Sequence, residues 1–383
     1  MVEDWQQGGF GLYVHWPFCQ AKCPYCDFNS HVSGTVDHDQ WEKALLSELD
    51  RNAALTPNRV LNSIFFGGGT PSLMRPKTVE ALINRATEHW TPANDIEITL
   101  EANPTSIEAD NFKGFRAAGV NRVSVGIQAL NDPDLKKLGR LHSVAEAMTA
   151  LDIARSTFDR FSFDLIYARQ DQSLDDWQAE LTRALDLADG HLSLYQLTIE
   201  PGTAFGFRAA KNKLPGLPDE DLSADMFEVT NQVCAEQGMH AYEVSNYALD
   251  GMQSTHNLIY WKSGDYVGIG PGAHGRLSQG QNRIATETAL APTAWMDRVH
   301  KLGSGNTKSE TLTTADRANE MLMMGLRVTE GVSINRVEAL MNKALVIPGH
   351  LVELGFITNE NGQLIVTDQG RPLLNQIIQS VMY

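Results

Sequence analysis

The sequence predicts an α/β protein: a partial (β/α)6 barrel over residues 1–285, then a small helical, winged-helix-like domain over 286–383. Three observations predict it. Short apolar, β-branched runs alternate six times with longer helix-period stretches, which implies parallel strands joined by crossover helices. Polar, chemistry-bearing residues gather where those runs end. After about residue 285 the alternation stops, and helices with one hairpin signal follow.

The strand candidates, in order, are 11–16 (GLYVHW), 62–68 (NSIFFGG), 96–104 (IEITLEANP), 122–128 (RVSVGIQ), 160–167 (RFSFDLIY) and 192–200 (LSLYQLTIE). Helix-period segments lie between them at 40–55, 77–90, 109–120, 144–156 and 174–188. An open doubly wound sheet would concentrate its site at one switch point. Here Glu101, Gln128, Asp164 and the run Gly67, Gly68, Gly69 end several different strands, as in a parallel barrel. Residues 211–223 (KNKLPGLPDEDLS) are turn-rich and acidic and read as a connector before another helix. Helical stretches at 313–331 and 333–341 come next. Two short apolar runs then flank 359–362, a hairpin signal. Met321, Met323 and Met324 read as helix core. A domain of this shape invites a nucleic-acid reading, but it lacks clustered Lys and Arg, so a structural or partner-docking module is expected.

Composition narrows the classes further. The chain has 383 residues, 42% of them apolar and 20% charged, as in a soluble globular protein. A net charge of −16 argues against broad phosphate-backbone binding. The first residues are acidic and polar, unlike a signal peptide, and no apolar run reaches the roughly 18 residues of a membrane span. The expected compartment is the cytosol.

Three of the four cysteines, Cys19, Cys23 and Cys26, fall in the single stretch CQAKCPYC. In a reducing compartment such clustering reads as metal binding rather than a disulfide framework. Cys234, alone in a helical stretch, reads as core. Thiolates spaced C-x3-C-x2-C can cap three corners of an iron–sulfur cubane from one loop. Such clusters normally take four cysteines, and no fourth is near, so one iron is left without a cysteine ligand. Zinc is the alternative, with His15 or His31 completing a tetrahedron.

The loop, with Tyr25 before its last cysteine, resembles the radical-SAM superfamily. Within it, the chain resembles the branch containing oxygen-independent coproporphyrinogen III oxidase and the heme chaperone HemW, over essentially its whole length. The resemblance implies a [4Fe–4S] cluster whose open iron is chelated by S-adenosylmethionine (SAM). Gly67-Gly68-Gly69-Thr70-Pro71 is similar to the family's GGGTP element. By the same resemblance Tyr13, Tyr25, Gly68, Gly69, Thr70, Glu101, Gln128, Arg140 and Asp164 are expected SAM contacts. A carboxylate suits ribose hydroxyls or the methionine ammonium, and an arginine suits its carboxylate.

Two features separate the branches. The oxidase pattern continues the cluster loop as C-x-C, whereas this chain runs Cys26-Asp27-Phe28, and it reaches its first strand by about residue 10. His256-Asn257-Leu258-Ile259-Tyr260-Trp261 is similar to the HNxxYW motif of the HemW branch, whose histidine is associated with heme. His256, Tyr260 and Trp261 are therefore the expected heme contacts, on the chemistry of an axial imidazole beside aromatic faces. Heme and acceptor hemoproteins, membrane-associated respiratory enzymes among them, are the partners this implies. Homodimerisation is left open, and no nucleic acid is expected. The competing enzyme reading is oxidative decarboxylation of coproporphyrinogen III. A zinc-binding winged-helix regulator is disfavoured by the acidic balance.

Overall fold

Period-2 alternation within the strands decides which residues face the site. A computed structural model describes residues 3–105 and 111–383. In β1 (Phe10–Trp16), Leu12, Val14 and Trp16 enter the hydrophobic core under the helices, while Tyr13 and His15 face a cavity. The strands β2 (Val60–Gly68), β3 (Thr91–Ala102), β4 (Arg122–Gln128), β5 (Arg160–Tyr167), β6 (His191–Gln196) and β7 (Asp265–Ile269) complete a parallel array. Its order is β7-β1-β2-β3-β4-β5-β6, with every neighbouring pair parallel.

Antiparallel strands extend both edges. Beyond β7 come β8 (His274–Gln279), β9 (Asn282–Thr288) and β10 (Asn306–Thr311), and beyond β6 come Asn246–Ala248 and His240–Ala241. The two ends do not pair, so the barrel is partial. All six expected strands are present, although residues 197–200 of the last form a loop. The seventh parallel strand and the β8–β9 hairpin were not expected. DYVGI is too short, and too closely bounded by glycines, for a period to be read from it.

The covering helices are α1 (His38–Leu55), α2 (Pro76–His89), α3 (Phe112–Ala117), α4 (Val144–Thr157), α5 (Leu174–Leu187), α6 (Glu220–Glu236), α7 (Thr255–Trp261) and α8 (Pro292–Leu302). Residues 109–110 of the third expected helix lie outside the described residues. Local chemistry starts these helices where the sequence changes from turn to helix. Ser143 with Glu146, and Ser173 with Asp176, form reciprocal capping boxes. Cys234 is fully buried in α6, as its setting implied.

Residue 285 lies inside β9, which is hydrogen-bonded on both sides, to β8 and β10. Trp295 of α8 stacks on Trp41 of α1 at 5.2 Å within the barrel's core. A second core begins at Ala318. It joins α9 (Thr314–Gly325), α10 (Ile334–Met341), α11 (Gly349–Glu353), α12 (Leu374–Val381) and a small sheet of β11 (Val332–Ser333), β12 (Ile357–Glu360) and β13 (Gln363–Val366). A cut at residue 285 would sever β9 from its own sheet. Asn361 and Gly362 both take positive φ between β12 and β13, forming the expected tight turn. Arg276 on β8 holds Glu320 on α9 at 2.8 Å, and Arg336 on α10 holds Asp4 at 2.7 Å. These two ion pairs fasten the small unit to the barrel.

Candidate cofactor and ligand site

The cysteine loop is clamped at its base. Phe18–Cys19 pairs with His31–Val32, closing residues 20–30 into a loop beside the C-terminal strand ends. Cys19, Cys23 and Cys26 are half-buried free thiols. Burial raises the Cys19 and Cys26 thiols above their ordinary range, and bound metal is what holds such ligands as thiolates. Among the described residues no three His, Cys, Asp or Glu side chains converge as ligands of one ion would. A cubane, whose ligands bind separate irons, does not require that convergence. His15 uses both ring nitrogens, on the Tyr13 hydroxyl at 3.0 Å and the Asn29 carbonyl at 2.9 Å, and His31 Nε2 pairs with Asn29 Oδ1 at 3.2 Å. The donor set therefore fits a cluster better than a zinc tetrahedron.

A hydrogen-bond path joins the loop to three strand ends. Thr70 Oγ1 donates to Cys19 Sγ at 3.3 Å, and Asn103 Nδ2 donates to Thr70 Oγ1 at 3.2 Å. Arg140 donates to Asn103 Oδ1 and to the Gly126 carbonyl, each at 2.6 Å, and to Cys23 Sγ at 3.4 Å. Its Nε is buried without a partner, a donor left for an anionic ligand. Asn103 was missed from sequence although it sits in LEANP, because the carboxylate two residues earlier was the more obvious group. Tyr25 packs against Phe205, with ring centroids 6.4 Å apart, and burial raises its hydroxyl.

Gly68 has φ of +112°, and a Cβ there would lie 2.6 Å from the His15 ring, so only glycine fits. Its N–H donates to Glu101 Oε2 at 3.3 Å. Gly69 passes equally close to the Phe18 carbonyl, where a Cβ would meet the oxygen at 2.8 Å. Gln128 holds φ of +78° at the register break between β4 and β5, a strained conformation of the kind found at ligand sites. Asp164 accepts from Ser124 Oγ at 3.4 Å. Of the expected SAM contacts, Gly68, Gly69, Thr70, Glu101, Gln128 and Asp164 fall at or near the ends of adjoining strands. Tyr13 is mid-strand in β1, Tyr25 is in the cysteine loop, and Arg140 follows the short helix Asp132–Lys137. Tyr13, Gly68 and Glu101 line a cavity, and Thr70 and Arg140 stand against the cysteines.

Glu101 and Asp164 are protonated more readily than usual. Burial, with the Asp164 charge behind it, pushes Glu101 up to about 8, and burial pushes Asp164 up to about 6. An unfolded Glu loses its proton near pH ~4.3, while folded Glu101 keeps its own until about 8. The folded state therefore binds more protons between those values, and stability falls as pH rises through that window. Glu101→Gln is expected to raise the urea midpoint at about pH 7, to leave it unchanged near pH 4, and to flatten the slope between them. Parallel pH profiles for the two proteins would refute the shift.

The HNLIYW segment is α7. Glu97, buried and paired with Arg160 at 3.2 Å, accepts from His256 N–H at 3.2 Å and Ser254 Oγ at 3.3 Å, which holds the start of the helix. His256 is 1% exposed. Its Nδ1 meets Ser63 Oγ and its Nε2 meets the Tyr260 hydroxyl, each at 2.6 Å, and its ring stacks on Phe65 at 4.8 Å. Burial pushes it down to about 3, so the ring is neutral. The expected axial heme ligand is thus a packed residue with neither nitrogen open, because two hydroxyls already pair with it. Tyr260 does reach the cavity, and Trp261 does not line it.

That cavity measures about 580 Å³, within the range of small-molecule sites. It lies between the barrel mouth and α9. Glu320, Met323 and Met324 share one face of α9 and line it, while Ala318, Met321 and Leu322 face the small unit's core. Of the three methionines expected in core, Met321 alone is fully so. Helix α9 has two buried faces, and a sequence period does not say which buried face meets protein and which meets a ligand. Phe28 and Leu290, 60% and 64% exposed, stand at the rim.

Comparison with known proteins identifies the family and the fold. Residues 13–183 match the radical SAM superfamily model, and residues 312–373 match the HemN C-terminal domain. The heme chaperone HemW of Escherichia coli K12 is 39% identical over 377 residues, spanning 96% of this chain and 97% of that protein. The chain belongs to the HemW family of radical SAM proteins. Radical S-adenosyl methionine domain-containing protein 1, mitochondrial, of Mus musculus is 43% identical over 328 residues, 84% of this chain and 74% of the relative. The solved coproporphyrinogen III oxidase HemN of Escherichia coli superposes with a TM-score of 0.81, covering 98% of this chain and 90% of that one at 22% identity. It shares the fold. The C-terminal match begins directly after β10.

Proposed function

We propose that this chain is a heme chaperone that carries a [4Fe–4S] cluster and SAM and hands heme to acceptor hemoproteins, without coproporphyrinogen oxidase activity. The observation that carries this reading is the cavity. It has the volume for a tetrapyrrole, it opens beside the cysteine loop, and Phe28 stands on its rim in the segment where the oxidase pattern adds a cysteine. The family name of the bacterial relatives points the same way.

In this reading Cys19, Cys23 and Cys26 hold three irons. Gly68, Gly69 and Thr70 offer backbone and hydroxyl groups to the SAM methionine, Arg140 faces its carboxylate, and Glu101 and Asp164 bind its hydroxyls or ammonium. Tyr13, Tyr25 and Gln128 complete that wall. When bound, a reduced cluster supplies one-electron cleavage of SAM, chemistry that belongs to the cofactor. The side chains' part is to orient and to exclude water. We place the protein in the cytosol. Among the described residues no helix is long and apolar enough to cross a membrane. Acceptors, membrane-associated respiratory enzymes among them, would then be met at a surface, and a homodimer is a further assembly to test.

Hemin titrated into the anaerobically reconstituted protein is expected to bind saturably, seen in the Soret band, and to pass to an apo-hemoprotein on mixing. Absence of saturable binding would remove the reading. Formation of protoporphyrinogen IX from coproporphyrinogen III, with SAM and a reductant, would make the chain an oxidase instead.

A further inference from the structure

The identity of the iron-binding atom follows from which donors the fold leaves open. Two histidines line the cavity, His15 and His274. Both ring nitrogens of His15 are taken, and so are those of His256 behind the wall. His274 begins β8, is exposed, and makes no side-chain hydrogen bond or ion pair among the described residues. We propose that the cavity takes an iron porphyrin with the His274 imidazole as its axial ligand. This rests on the heme-chaperone reading and adds the atom that holds the cargo.

The rest of the cavity has the chemistry such a ligand needs. Met323 and Met324 bring two thioethers to the wall formed by α9, and a His/Met pair is an established axial set for heme iron. Tyr260 and Tyr266 offer aromatic edges and faces, and Phe28 and Leu290 offer apolar surface at the rim. The rim is held in place. Asn29 Nδ2 donates to the Pro271 carbonyl at 3.0 Å and the Leu290 carbonyl at 2.9 Å, tying the cysteine loop to the connections after β7 and β9. A preformed wall costs less ordering when a ligand enters.

Position matters for a protein that must release what it binds. An exposed imidazole on the cavity wall can be exchanged for an acceptor's ligand. A ring placed as His256 is would first have to give up the hydrogen bond at the nitrogen that meets the iron, inside a closed wall.

The test is hemin titration of the full-length, cluster-reconstituted protein, read by the Soret band and by electron paramagnetic resonance of the ferric state. His274→Ala is expected to weaken hemin binding by more than about tenfold, the loss already seen when a mere partner of a metal ligand is removed. It should also change the ferric spin state, and added imidazole should restore the wild-type spectrum. His274→Gln, run alongside, should behave as the alanine variant does. Both should keep the wild-type melting profile, since the side chain makes no hydrogen bond or ion pair among the described residues. If the wild type binds hemin and both variants match its affinity and spectrum, His274 is not the ligand, while the chaperone reading stands. If the wild type itself does not bind hemin, the chaperone reading falls and this inference falls with it.

Discussion

Cys23→Ala is expected to leave the barrel folded and to abolish the cluster: reconstituted with iron and sulfide, the variant should retain little of either and lose the broad visible absorption. The two consequences separate because of where the cysteine sits. Cys23 is half-buried in a loop outside the hydrophobic core, and its polar contacts include Arg140 at 3.4 Å, the Tyr25 side chain and the backbone bond its carbonyl accepts from Cys26. Removing a thiol there creates no core cavity, so the far-ultraviolet spectrum and melting of the unreconstituted protein should stay near wild type. Loss of one of three protein ligands is different, because metal-binding free energy is shared among few bonds. Cys19→Ala and Cys26→Ala should behave alike, whereas Cys234→Ala, in the core of α6, should keep the cluster and lose stability instead. Wild-type iron and sulfide content in Cys23→Ala would rule out this loop as the ligand set.

Asp265→Ala is the substitution expected to cost the most stability. Asp265 opens β7 and is fully buried. It holds Arg59 at 2.7 Å and Arg283 at 3.6 Å, both guanidiniums being nearly inaccessible to water. It also accepts from Ser278 Oγ at 3.0 Å and from the Ser278 N–H. Arg59 is further sandwiched against Trp5, 4.2 Å from the ring centroid. Taking away the one carboxylate leaves two buried cations without a counter-charge, a change that costs about 3–5 kcal/mol. The measurement is the urea midpoint at constant m-value. A loss below about 1 kcal/mol would mean that water or backbone carbonyls already compensate those cations. Hemin and cluster readouts in this variant should follow the folded fraction and show no separate defect.

The cysteine loop, the GGGTP turn and the strand-end carboxylates were legible in the sequence because each is local. Spacing within one loop, or position at the end of one apolar run, singles them out, and the resemblance to the family adds what they are expected to hold. Asn103, His274, Phe28 and the cavity face of α9 were not legible as a site. His274 lies in a glycine-rich stretch, GIGPGAHG, in which no period can be read and which by itself assigns no role. Met323 and Met324 sit in a helix whose period indicates burial but not the nature of what they are buried against. The division at residue 285 misplaced β9 and β10 for a related reason: antiparallel strands added to a barrel edge break the strand–helix rhythm without leaving the sheet.

By itself the sequence determined the parallel α/β architecture and the three-cysteine loop, which periodicity and short-range spacing carry directly, while the family entered as a resemblance carried by separated motifs. Only the tertiary structure shows how His256 is packed. The same residues that make HNLIYW read as a heme motif, an imidazole among aromatics and hydroxyls, are the ones that satisfy it internally. A histidine is open to a ligand only where a ring nitrogen is unpaired, and at His256 the two nitrogens are paired by Tyr260, one helical turn on, and by Ser63, 193 positions away in the chain.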